Sequence, residues 1–304
     1  MQTKQQIQLL LESVGVRPNK RLGQHFLIDL NLMTKIVEQA NIAKDDVVLE
    51  VGCGTGSLTE LLAETAHTVL AVEIDPTLAK IASQQLTENK NVQILNTDIL
   101  QNKHTLSSVV TDAVEAARKK NKGRFLLIAN LPYNAASAVL MNLVTAPPDA
   151  PIFADAMYVT VQKEVAERMT AKSAGKHYGT LSIFLDATGD VKILRTLKPP
   201  VFWPQPKVNS SMLCYVRNME KYRRIEDMET FSRIVALFMQ HRRKMLKAAT
   251  KFATEKFTQL NWQQVFTQCG IDPCLRPENL CPEEYIRLAN LCHETLKKNS
   301  INLQ

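Results

Sequence analysis

Residues 47–57 read VVLEVGCGTGS, and they are the part of the sequence most indicative of the fold class. Its first five residues form an apolar run interrupted only by Glu50, which is typical of a strand buried on both faces of a parallel sheet. Gly52, Gly54 and Gly56 follow at alternate positions, where glycine permits positive φ and lets a ligand approach the backbone. The stretch predicts a strand, a glycine-rich turn and then a helix.

Short apolar runs and amphipathic stretches alternate through the first two thirds of the chain. Strand–helix–strand alternation implies parallel pairing in a doubly wound α/β sheet. The runs that predict strands are 47–51, 69–74, 92–95, 125–129, 157–161, 181–185 and 211–216. The stretches that predict helices are 58–66, 76–86 and 105–120, the last an extra helix within the long connection 101–124. The proline-rich segment 199–206 breaks this rhythm and predicts a loop that returns into a final antiparallel strand.

The pattern changes after Asn218. Stretches 231–251, 262–269 and 282–296 carry helical spacing, and no strand signal accompanies them. We therefore predict two domains: residues 1–218 as the α/β domain and residues 219–304 as a small all-helical domain.

Net charge, apolar stretches and cysteine spacing narrow the class of protein. A formal net charge of +7 and a pI near 9.0 favour an anionic partner, with nucleic acid the first choice. The sequence has no uncharged apolar stretch of ~18 residues, so no membrane span is expected. None of the six cysteines forms a CxxC pair or completes a zinc spacing, which predicts reduced thiols, no metal site and a cytoplasmic location.

Acidic residues lie at the ends of the second and third predicted strands. Glu73 comes 21 residues after Gly52, where a carboxylate can accept hydrogen bonds from both hydroxyls of a ribose. Asp98 follows the third strand and can accept a bond from an adenine amine. Both acids could instead be ordinary helix caps. A ribose and an adenine together indicate a cofactor that contains adenosine. The glycines are spaced G-x-G-x-G and not G-x-G-x-x-G, which argues against NAD as that cofactor.

The fourth predicted strand ends in the tetrapeptide Asn130-Leu131-Pro132-Tyr133. An exocyclic adenine amine is a poor nucleophile because its lone pair is delocalised into the ring. The Asn130 side-chain oxygen and the Leu131 backbone carbonyl could accept its two N–H groups and localise that lone pair. Pro132 would stiffen the turn, and the Tyr133 ring could stack on the base. The tetrapeptide resembles the (Asn/Asp)-Pro-Pro-Tyr signature of amino methyltransferases that act on adenine or cytosine.

Further motifs make the chain similar to the small-subunit ribosomal RNA adenine dimethyltransferase family. They are RPNKRLGQHFL at 17–27, QKEVAER at 162–168, YGTLS at 178–182 and FWPQPKV at 202–208. Family members often have Asn where this chain has His25, and Pro where it has Gln205. The resemblance implies a Rossmann-like class I S-adenosylmethionine-dependent methyltransferase fold with a mostly parallel sheet. It also implies that the loop at 178–182 borders the target base, whereas Phe184 beyond it is better interpreted as core.

The resemblance also implies a function and a set of site residues. The function is dimethylation of two adjacent adenosines in a hairpin near the 3′ end of small-subunit (16S) rRNA, on a late assembly intermediate. Asn130, Leu131, Pro132 and Tyr133 would be catalytic. S-adenosylmethionine would be bound by His25, Leu27, Gly52, Gly54, Glu73, Asp98 and Asn130.

A basic segment in the helical domain is the predicted RNA contact. Between residues 230 and 254 there are six basic residues and no acidic one. With no interleaved acids, phosphate binding is favoured over a merely solvated face. The predicted RNA-binding residues are Arg242, Arg243, Lys244, Lys247 and Lys251. On a continuous helix, Arg243, Lys247 and Lys251 would share one face, because they are four apart.

Three alternatives remain open at this stage. A large-subunit rRNA adenine methyltransferase of the antibiotic-resistance type would share the catalytic domain. A ribosome assembly factor would bind the subunit, with catalysis secondary or lost. An NAD-dependent oxidoreductase would have the same kind of doubly wound α/β sheet. Nothing in the sequence indicates more than a monomer.

Overall fold

The computed structural model describes residues 1–19 and 22–301, with the side chains of 300 and 301 left aside. Strands are β1 Phe26–Leu27, β2 Val47–Val51, β3 Thr68–Glu73, β4 Val92–Asn96, β5 Leu100–Asn102, β6 Thr105–Leu106, β7 Phe125–Asn130, β8 Ala156–Gln162, β9 Gly189–Leu197, β10 Phe202–Trp203 and β11 Ser210–Arg217. Helices are α1 Lys4–Ser13, α2 Leu30–Ala40, α3 Ser57–Ala63, α4 Pro76–Gln85, α5 Ser108–Lys120, α6 Ala136–Thr145, α7 Lys163–Met169, α8 Thr180–Thr188, α9 Met219–Tyr222, α10 Met228–Gln240, α11 Leu246–Ala249, α12 Trp262–Cys269 and α13 Pro282–Ile301.

The chain divides into two compact units. The first comprises Met1–Ala166 and Lys192–Val216, and the second comprises Glu167–Val191 and the chain from Arg217 onward. The segment 167–191 therefore groups with the C-terminal helices, although it lies before position 218, where the sequence predicted the boundary. The functional roles assigned to the two predicted domains stay predictions.

A seven-stranded sheet forms the centre of the first unit, in the order β4-β3-β2-β7-β8-β11-β9. The pairs from β4 to β8 are parallel, and β11 is antiparallel to β8, which confirms the mostly parallel sheet and the returning final strand. The chain runs outward from β2 to β4 and then crosses back to β7 on the other side of β2. The loops after β2 and β7 therefore border a switch point, which is where open α/β sheets bind ligands.

The central strands are buried on both faces, as their apolar runs predicted. Every residue of β2 is buried, and so are the first five of β7. Helix α2 covers one face with Met33 and Ile36, both 1% exposed. This rigid core holds the carboxyl ends of the strands, and thus the loops that follow them, in fixed positions.

The connection 101–124 contains the predicted helix, but it is not an extra one. Helix α5 is the crossover that links β4 to β7, and Val110 and Val114 on its inner face are fully buried. The added length before it is the two-stranded hairpin β5–β6. The sequence pattern did not distinguish this hairpin from the start of the helix.

The strand predicted at 181–185 is wrong, because these residues lie in helix α8. A short, fully apolar run fits a buried helix as well as a buried strand. The helix begins at a turn in which Ser182 Oγ accepts the Gly179 backbone N–H at 3.1 Å. Strand β9, in which only the first and last residues are buried, was not predicted.

The helix predicted over 231–251 is also interrupted. Helix α10 ends at Gln240, residues 241–245 form a turn, and only a short helix follows at Leu246–Ala249. The backbone N–H groups of Leu246 and Lys247 donate to Leu275 and Pro273 rather than to the preceding helical turn. This tertiary pairing overrides the helical periodicity. Among the described residues, every helix is too short or too polar to cross a bilayer.

Candidate active site

The glycine-rich turn after β2 has the backbone geometry that its sequence predicted. Gly52, Gly54 and Gly56 have φ values of +77°, +58° and +87°. A Cβ at Gly52 would lie 3.1 Å from Pro132 Cγ, and one at Gly54 would lie 2.9 Å from the Phe26 ring. The absence of side chains at these positions therefore lets the loops after β2 and β7 and the N-terminal motif approach one another closely.

Glu73 lies at the end of β3 and is only 5% exposed. One carboxylate oxygen accepts the Gly54 N–H at 2.8 Å, and the other accepts the Asp75 N–H at 2.9 Å. Burial raises the pKa of this carboxyl, although these two hydrogen bonds oppose the rise. Since each carboxylate oxygen has two lone pairs, the group still has capacity for two ribose hydroxyls.

Asp98 is exposed at the rim of the same pocket, in the loop after β4. Its Oδ1 accepts the Leu100 backbone N–H at 2.9 Å, which orients the carboxylate. Asn96, the residue of β4 that pairs with Glu73 in the sheet, donates from Nδ2 to the Glu73 carbonyl at 2.8 Å. The two acidic strand ends are thus tied together as well as being adjacent in the sheet.

Sequence analysis missed Glu50, which lines the pocket from inside β2 and is 2% exposed. Thr59 Oγ1 donates to its carboxyl at 2.6 Å. Burial raises the pKa of Glu50 to about 8, the Thr59 bond lowers it, and the nearby charge of Glu73 raises it. A lone acid inside an apolar run was the available signal, because buried charged groups are rare unless they are paired or functional.

Asn130 ends β7, and its side chain is held by the N-terminal motif. Its Nδ2 donates to the His25 backbone carbonyl at 2.8 Å. A carbonyl can only accept, so the amide nitrogen must face His25 and the side-chain oxygen Oδ1 must point elsewhere. The amide is therefore oriented with its acceptor available to a ligand in the pocket that both residues line.

The rest of the tetrapeptide forms a turn at the start of α6. The Leu131 backbone N–H donates to the Thr160 carbonyl at 3.0 Å, which extends the β7–β8 pairing by one residue. The Pro132 carbonyl accepts from Ala135 and Ala136, and this begins the helix. The turn is thus fixed at both ends.

Tyr133 and His25 place two rings beside each other in the pocket. Their centroids are 5.6 Å apart, and the Tyr133 hydroxyl lies 2.9 Å from Ser210 Oγ. Burial raises the pKa of Tyr133, so the phenol stays protonated at neutral pH and is not a general base. His25 Nδ1 lies 2.6 Å from the Pro204 carbonyl, which requires that Nδ1 carry the proton.

The N-terminal motif docks on the proline-containing loop of the same unit. Strand β1 pairs with β10, which brings Phe26 opposite Trp203, and their rings stack with centroids 6.1 Å apart. Gln24 Nε2 donates to Asp75 at 3.0 Å, which ties the motif to the end of β3. Lys20 and Arg21 of this motif lie outside the described residues.

The N-terminal residues contribute contacts that no sequence pattern indicated. Gln2 is 8% exposed, its backbone N–H donates to Ser57 Oγ at 2.8 Å, and its side chain exchanges two hydrogen bonds with Thr55. Ile7 of α1 reaches the pocket wall. The glycine loop is therefore supported from both sides.

One pocket of the first unit gathers every residue predicted to bind cofactor or to be catalytic. These are His25, Leu27, Gly52, Gly54, Glu73, Asp98, Asn130, Leu131, Pro132 and Tyr133. The residues present fit S-adenosylmethionine: an open glycine cradle, a buried carboxylate for ribose hydroxyls and an exposed carboxylate at the rim. The described residues contain no cluster of three or more His, Cys, Asp or Glu side chains that could hold a metal ion.

The predicted RNA-binding residues lie in the second unit, and they do not share one helix face. Arg242 Nε and Nη2 both donate to Glu278, at 3.0 and 2.8 Å, so this guanidinium has a structural partner. Lys247 Nζ donates to Cys274 Sγ at 3.3 Å. Arg243, Lys244 and Lys251 are exposed, and no carboxylate of the described residues pairs with them.

The loop at 178–182, which is expected to border the target base, lies in the second unit, where Tyr178 is buried and Thr180 is exposed. Tyr178 is 1% exposed and donates from its hydroxyl to the Leu280 carbonyl at 2.8 Å. Phe184 is 2% exposed and packs edge-to-face on Phe231 with centroids 5.0 Å apart. The interpretation of Phe184 as core is confirmed.

The parallel sheet, the glycine cradle, the carboxylate after β3 and the oriented Asn130 define a class I methyltransferase that uses S-adenosylmethionine. Residues 15–293 match the family model described as "Ribosomal RNA adenine dimethylase", and the chain belongs to this family. It is therefore an rRNA adenine dimethyltransferase, as the sequence motifs predicted.

Curated relatives and solved structures agree with this assignment. "Ribosomal RNA small subunit methyltransferase A" of Shouchella clausii is 36% identical over 95% of this chain and 94% of its own length. The protein of that name from Caldanaerobacter subterraneus is 35% identical over 93% of this chain and 100% of its own.

Two solved structures share the fold at lower sequence identity. A dimethyladenosine transferase from Plasmodium falciparum has a TM-score of 0.66 at 21% identity, covering 88% of this chain and 96% of that one. The 23S rRNA methyltransferase ErmE has a TM-score of 0.60 at 23% identity, covering 87% and 98%. Because the two neighbours carry different names, the fold alone does not identify the RNA that this chain methylates.

Proposed function

We propose that this enzyme dimethylates the exocyclic amines of two adjacent adenosines in a hairpin near the 3′ end of 16S rRNA. The orientation of Asn130 carries the proposal, because its amide nitrogen is bonded to the His25 carbonyl at 2.8 Å and its Oδ1 is left to accept from an amine. The names of the relatives at 35–36% identity support the small subunit as the source of the RNA.

Asn130 Oδ1 and the Leu131 carbonyl are proposed to accept the two N–H groups of the adenine amine. Their pull localises the nitrogen lone pair and aims it into the pocket. Bound S-adenosylmethionine supplies a methyl group activated by its positively charged sulfur. No general base is needed before attack, since the amine proton becomes acidic only after the methyl arrives. Catalysis then rests on positioning and electrostatics.

Tyr133 is proposed to hold the base by stacking. Its hydroxyl is fixed by Ser210 at 2.9 Å, so the ring keeps one orientation. A loop adenosine can be splayed out of its stack into such a pocket, whereas a paired base would first have to be opened. This geometry supports a hairpin loop as the substrate, as the family resemblance implies.

His25, Leu27, Gly52, Gly54, Glu73, Asp98 and Asn130 are proposed to bind the cofactor. Glu73 binds the ribose hydroxyls and Asp98 the adenine amine. The backbone of Gly52 and Gly54 lies against the remainder of the molecule, where any Cβ would meet Pro132 or Phe26.

The α/β domain is proposed as the catalytic part and the C-terminal helical domain as the part that binds RNA through Arg243, Lys244, Lys247 and Lys251. For Arg242, which the sequence also predicted to bind RNA, we propose a structural role, because its Nε and Nη2 both donate to Glu278. We further propose action as a monomer, in the cytoplasm, on a late assembly intermediate of the small subunit.

Labelled methyl transfer from S-adenosylmethionine tests this function. Small subunits lacking the modification, large subunits and naked 16S rRNA are compared, and the modified nucleoside is identified by mass. Dimethyladenosine in the small-subunit sample alone is the expected result. Label in large-subunit RNA would instead favour the resistance-type methyltransferase, and tight subunit binding without any label would favour an assembly factor.

A further inference from the structure

Phe252 is an aromatic side chain that the second unit leaves in solvent. It ends the 3₁₀ turn Thr250–Phe252 and is 46% exposed. The aromatic residues around α10 and α12, by contrast, are interior ones, such as Phe238 and Phe266. A large exposed apolar ring is informative when it lies among charged residues, because the core does not explain it.

The ring of His241 lies against Phe252. The two ring centroids are 4.0 Å apart and the planes are within 20° of parallel. One face of Phe252 is therefore covered, and the exposed area must come from its edge and its opposite face. His241 follows the end of α10, so the helix supports the stacked pair and holds the open face in place.

One cation contacts this stacked pair, and three more lie close to it in sequence. Lys244 Nζ lies 5.4 Å from the centroid of the Phe252 ring, within range of a cation–π contact. Arg243, Lys247 and Lys251 are also exposed in the same stretch of chain. The nearest acid in sequence, Glu255, is ion-paired with Arg233, so it does not neutralise them.

An open aromatic face among unneutralised cations fits a polyanion that carries flat apolar groups. Single-stranded RNA has this combination, since phosphates alternate with bases that stack on aromatic side chains. A protein helix would need a longer apolar groove, and duplex RNA presents no free base face. The cations favour RNA over a protein helix, and the open aromatic face favours an unpaired stretch of RNA over a duplex.

We propose that Phe252, backed by His241, is a stacking site for an unpaired nucleobase of the RNA substrate. Lys244 moves from the ring to a neighbouring phosphate when the base binds, and Lys251 binds another phosphate. The inference rests on the proposed function, because it assigns the second unit an RNA contact that involves bases as well as phosphates. It adds a binding residue that the charge pattern alone does not indicate.

The probe that tests this site is a short oligouridylate, compared with an abasic strand that has the same number of phosphates. Uridines avoid recognition of an adenine amine in the catalytic pocket. The wild-type chain should bind the base-bearing strand roughly 5- to 150-fold more tightly than the abasic strand, as expected for one stacked base. Equal affinities for the two strands would overturn the proposal.

Single substitutions identify the side chain that is responsible for the preference for the base-bearing strand. Phe252→Leu should abolish the preference for the base-bearing strand while leaving affinity for the abasic strand unchanged. Phe252→Tyr, which keeps an aromatic ring, should keep the preference. Met245→Ala, at a residue 43% exposed in the turn 241–245 that contains His241, is the apolar control and should keep the preference. Tyr133→Ala should also keep it, whereas loss in that variant would assign the preference to the catalytic pocket and contradict the proposal. Thermal melts of each variant establish that it is folded.

Methyl transfer to small subunits, measured on the same preparations, separates the two proposals. A wild-type enzyme that methylates subunits but binds both strands equally contradicts the stacking site alone. An enzyme that prefers the base-bearing strand through Phe252 but methylates no small subunit contradicts the proposed function and leaves the stacking site supported.

Discussion

Asn130 Nδ2 donates a hydrogen bond to the backbone carbonyl of His25 at 2.8 Å, across 105 residues of sequence. The bond connects the end of β7 to the N-terminal motif and fixes which way the Asn130 amide points. The residue proposed to receive the substrate amine is thus oriented by a residue proposed to bind the cofactor. The Asn130 side chain therefore links the position of the N-terminal motif, which is proposed to bind the cofactor, to the position of the oxygen that is proposed to accept the substrate amine.

Glu73 and Asp98 are predicted to contribute unequally to cofactor affinity. Glu73→Ala should raise the Kd for S-adenosylhomocysteine by about 10- to 150-fold, the value of a hydrogen-bonded charged group. Asp98→Ala should raise it less, because Asp98 is exposed while Glu73 is 5% exposed. Calorimetric titration measures both constants, with Glu73→Gln as the variant that keeps one acceptor oxygen. An equal or larger effect at Asp98 would contradict this assignment.

Gly54→Ala should weaken cofactor binding and lower stability. Its positive φ of +58° costs an L-residue ~1–2 kcal/mol, and the new Cβ would meet the Phe26 ring at 2.9 Å. Gly270→Ala is the matched control, since its φ is +65° but nothing lies within 4 Å of its Cβ. Denaturant unfolding and cofactor titration are compared for the two variants. Only Gly54→Ala should raise the cofactor Kd, and a similar rise in Gly270→Ala would exclude the Phe26 contact as the cause.

Glu50 should make the unfolding free energy fall as pH rises through the window from 4.5 to about 8. Burial raises its pKa from the ordinary value of 4.5 to about 8, so the folded protein holds a proton there that the unfolded chain releases. The stabilising effect is complete below pH 4.5 and is lost as pH rises through about 8. Thermal melts across this window should show a smaller loss of Tm for Glu50→Gln than for wild type.

The control for that experiment is Glu64→Gln, at an exposed position in the same βα unit. It should follow the wild-type pH profile. Should Glu50→Gln also follow the wild-type profile, burial of an uncharged Glu50 would be contradicted.

Two adjacent arginines should separate stability from RNA binding. Arg242→Ala should lower the unfolding free energy by about 1 kcal/mol, because it breaks the two bonds to Glu278. Arg243→Ala should leave stability unchanged and reduce by about 1 the slope of log affinity for RNA against log salt. Melting curves and binding at several salt concentrations provide the readouts. If Arg243→Ala left the salt slope unaltered, its contact with phosphate would be excluded.

The sheet and the site at its edge could be predicted because they depend on local patterns. Buried parallel strands are continuous apolar runs, and the residues that follow them must meet at one edge of the sheet. Gly52, Glu73 and Asn130 were identified in this way, and they line one pocket. The order of these groups around the pocket follows the sheet order β4-β3-β2-β7, which the crossover after β4 makes different from their order along the chain.

The remaining features depend on contacts between distant segments. Gln2 supports the glycine loop through Thr55 and Ser57, and its polar N-terminal surroundings gave no indication of this. The turn at His241 interrupts a strong helical pattern because Leu246 pairs with Leu275. The short apolar run 181–185 fits a buried strand and a buried helix equally well, so its secondary structure depends on its packing.

Single-turnover methyl transfer by Asn130→Ala, measured beside equilibrium binding of S-adenosylhomocysteine, tests whether Asn130 orients the substrate amine. We predict that the rate of transfer to small subunits falls about 100- to 1000-fold, the loss typical of one preorganised polar group. The cofactor Kd should change only a few-fold, because Glu73 and the glycine cradle remain. Transfer at the wild-type rate would contradict the role of Asn130 in orienting the amine, and so would a loss of activity fully explained by a loss of cofactor binding.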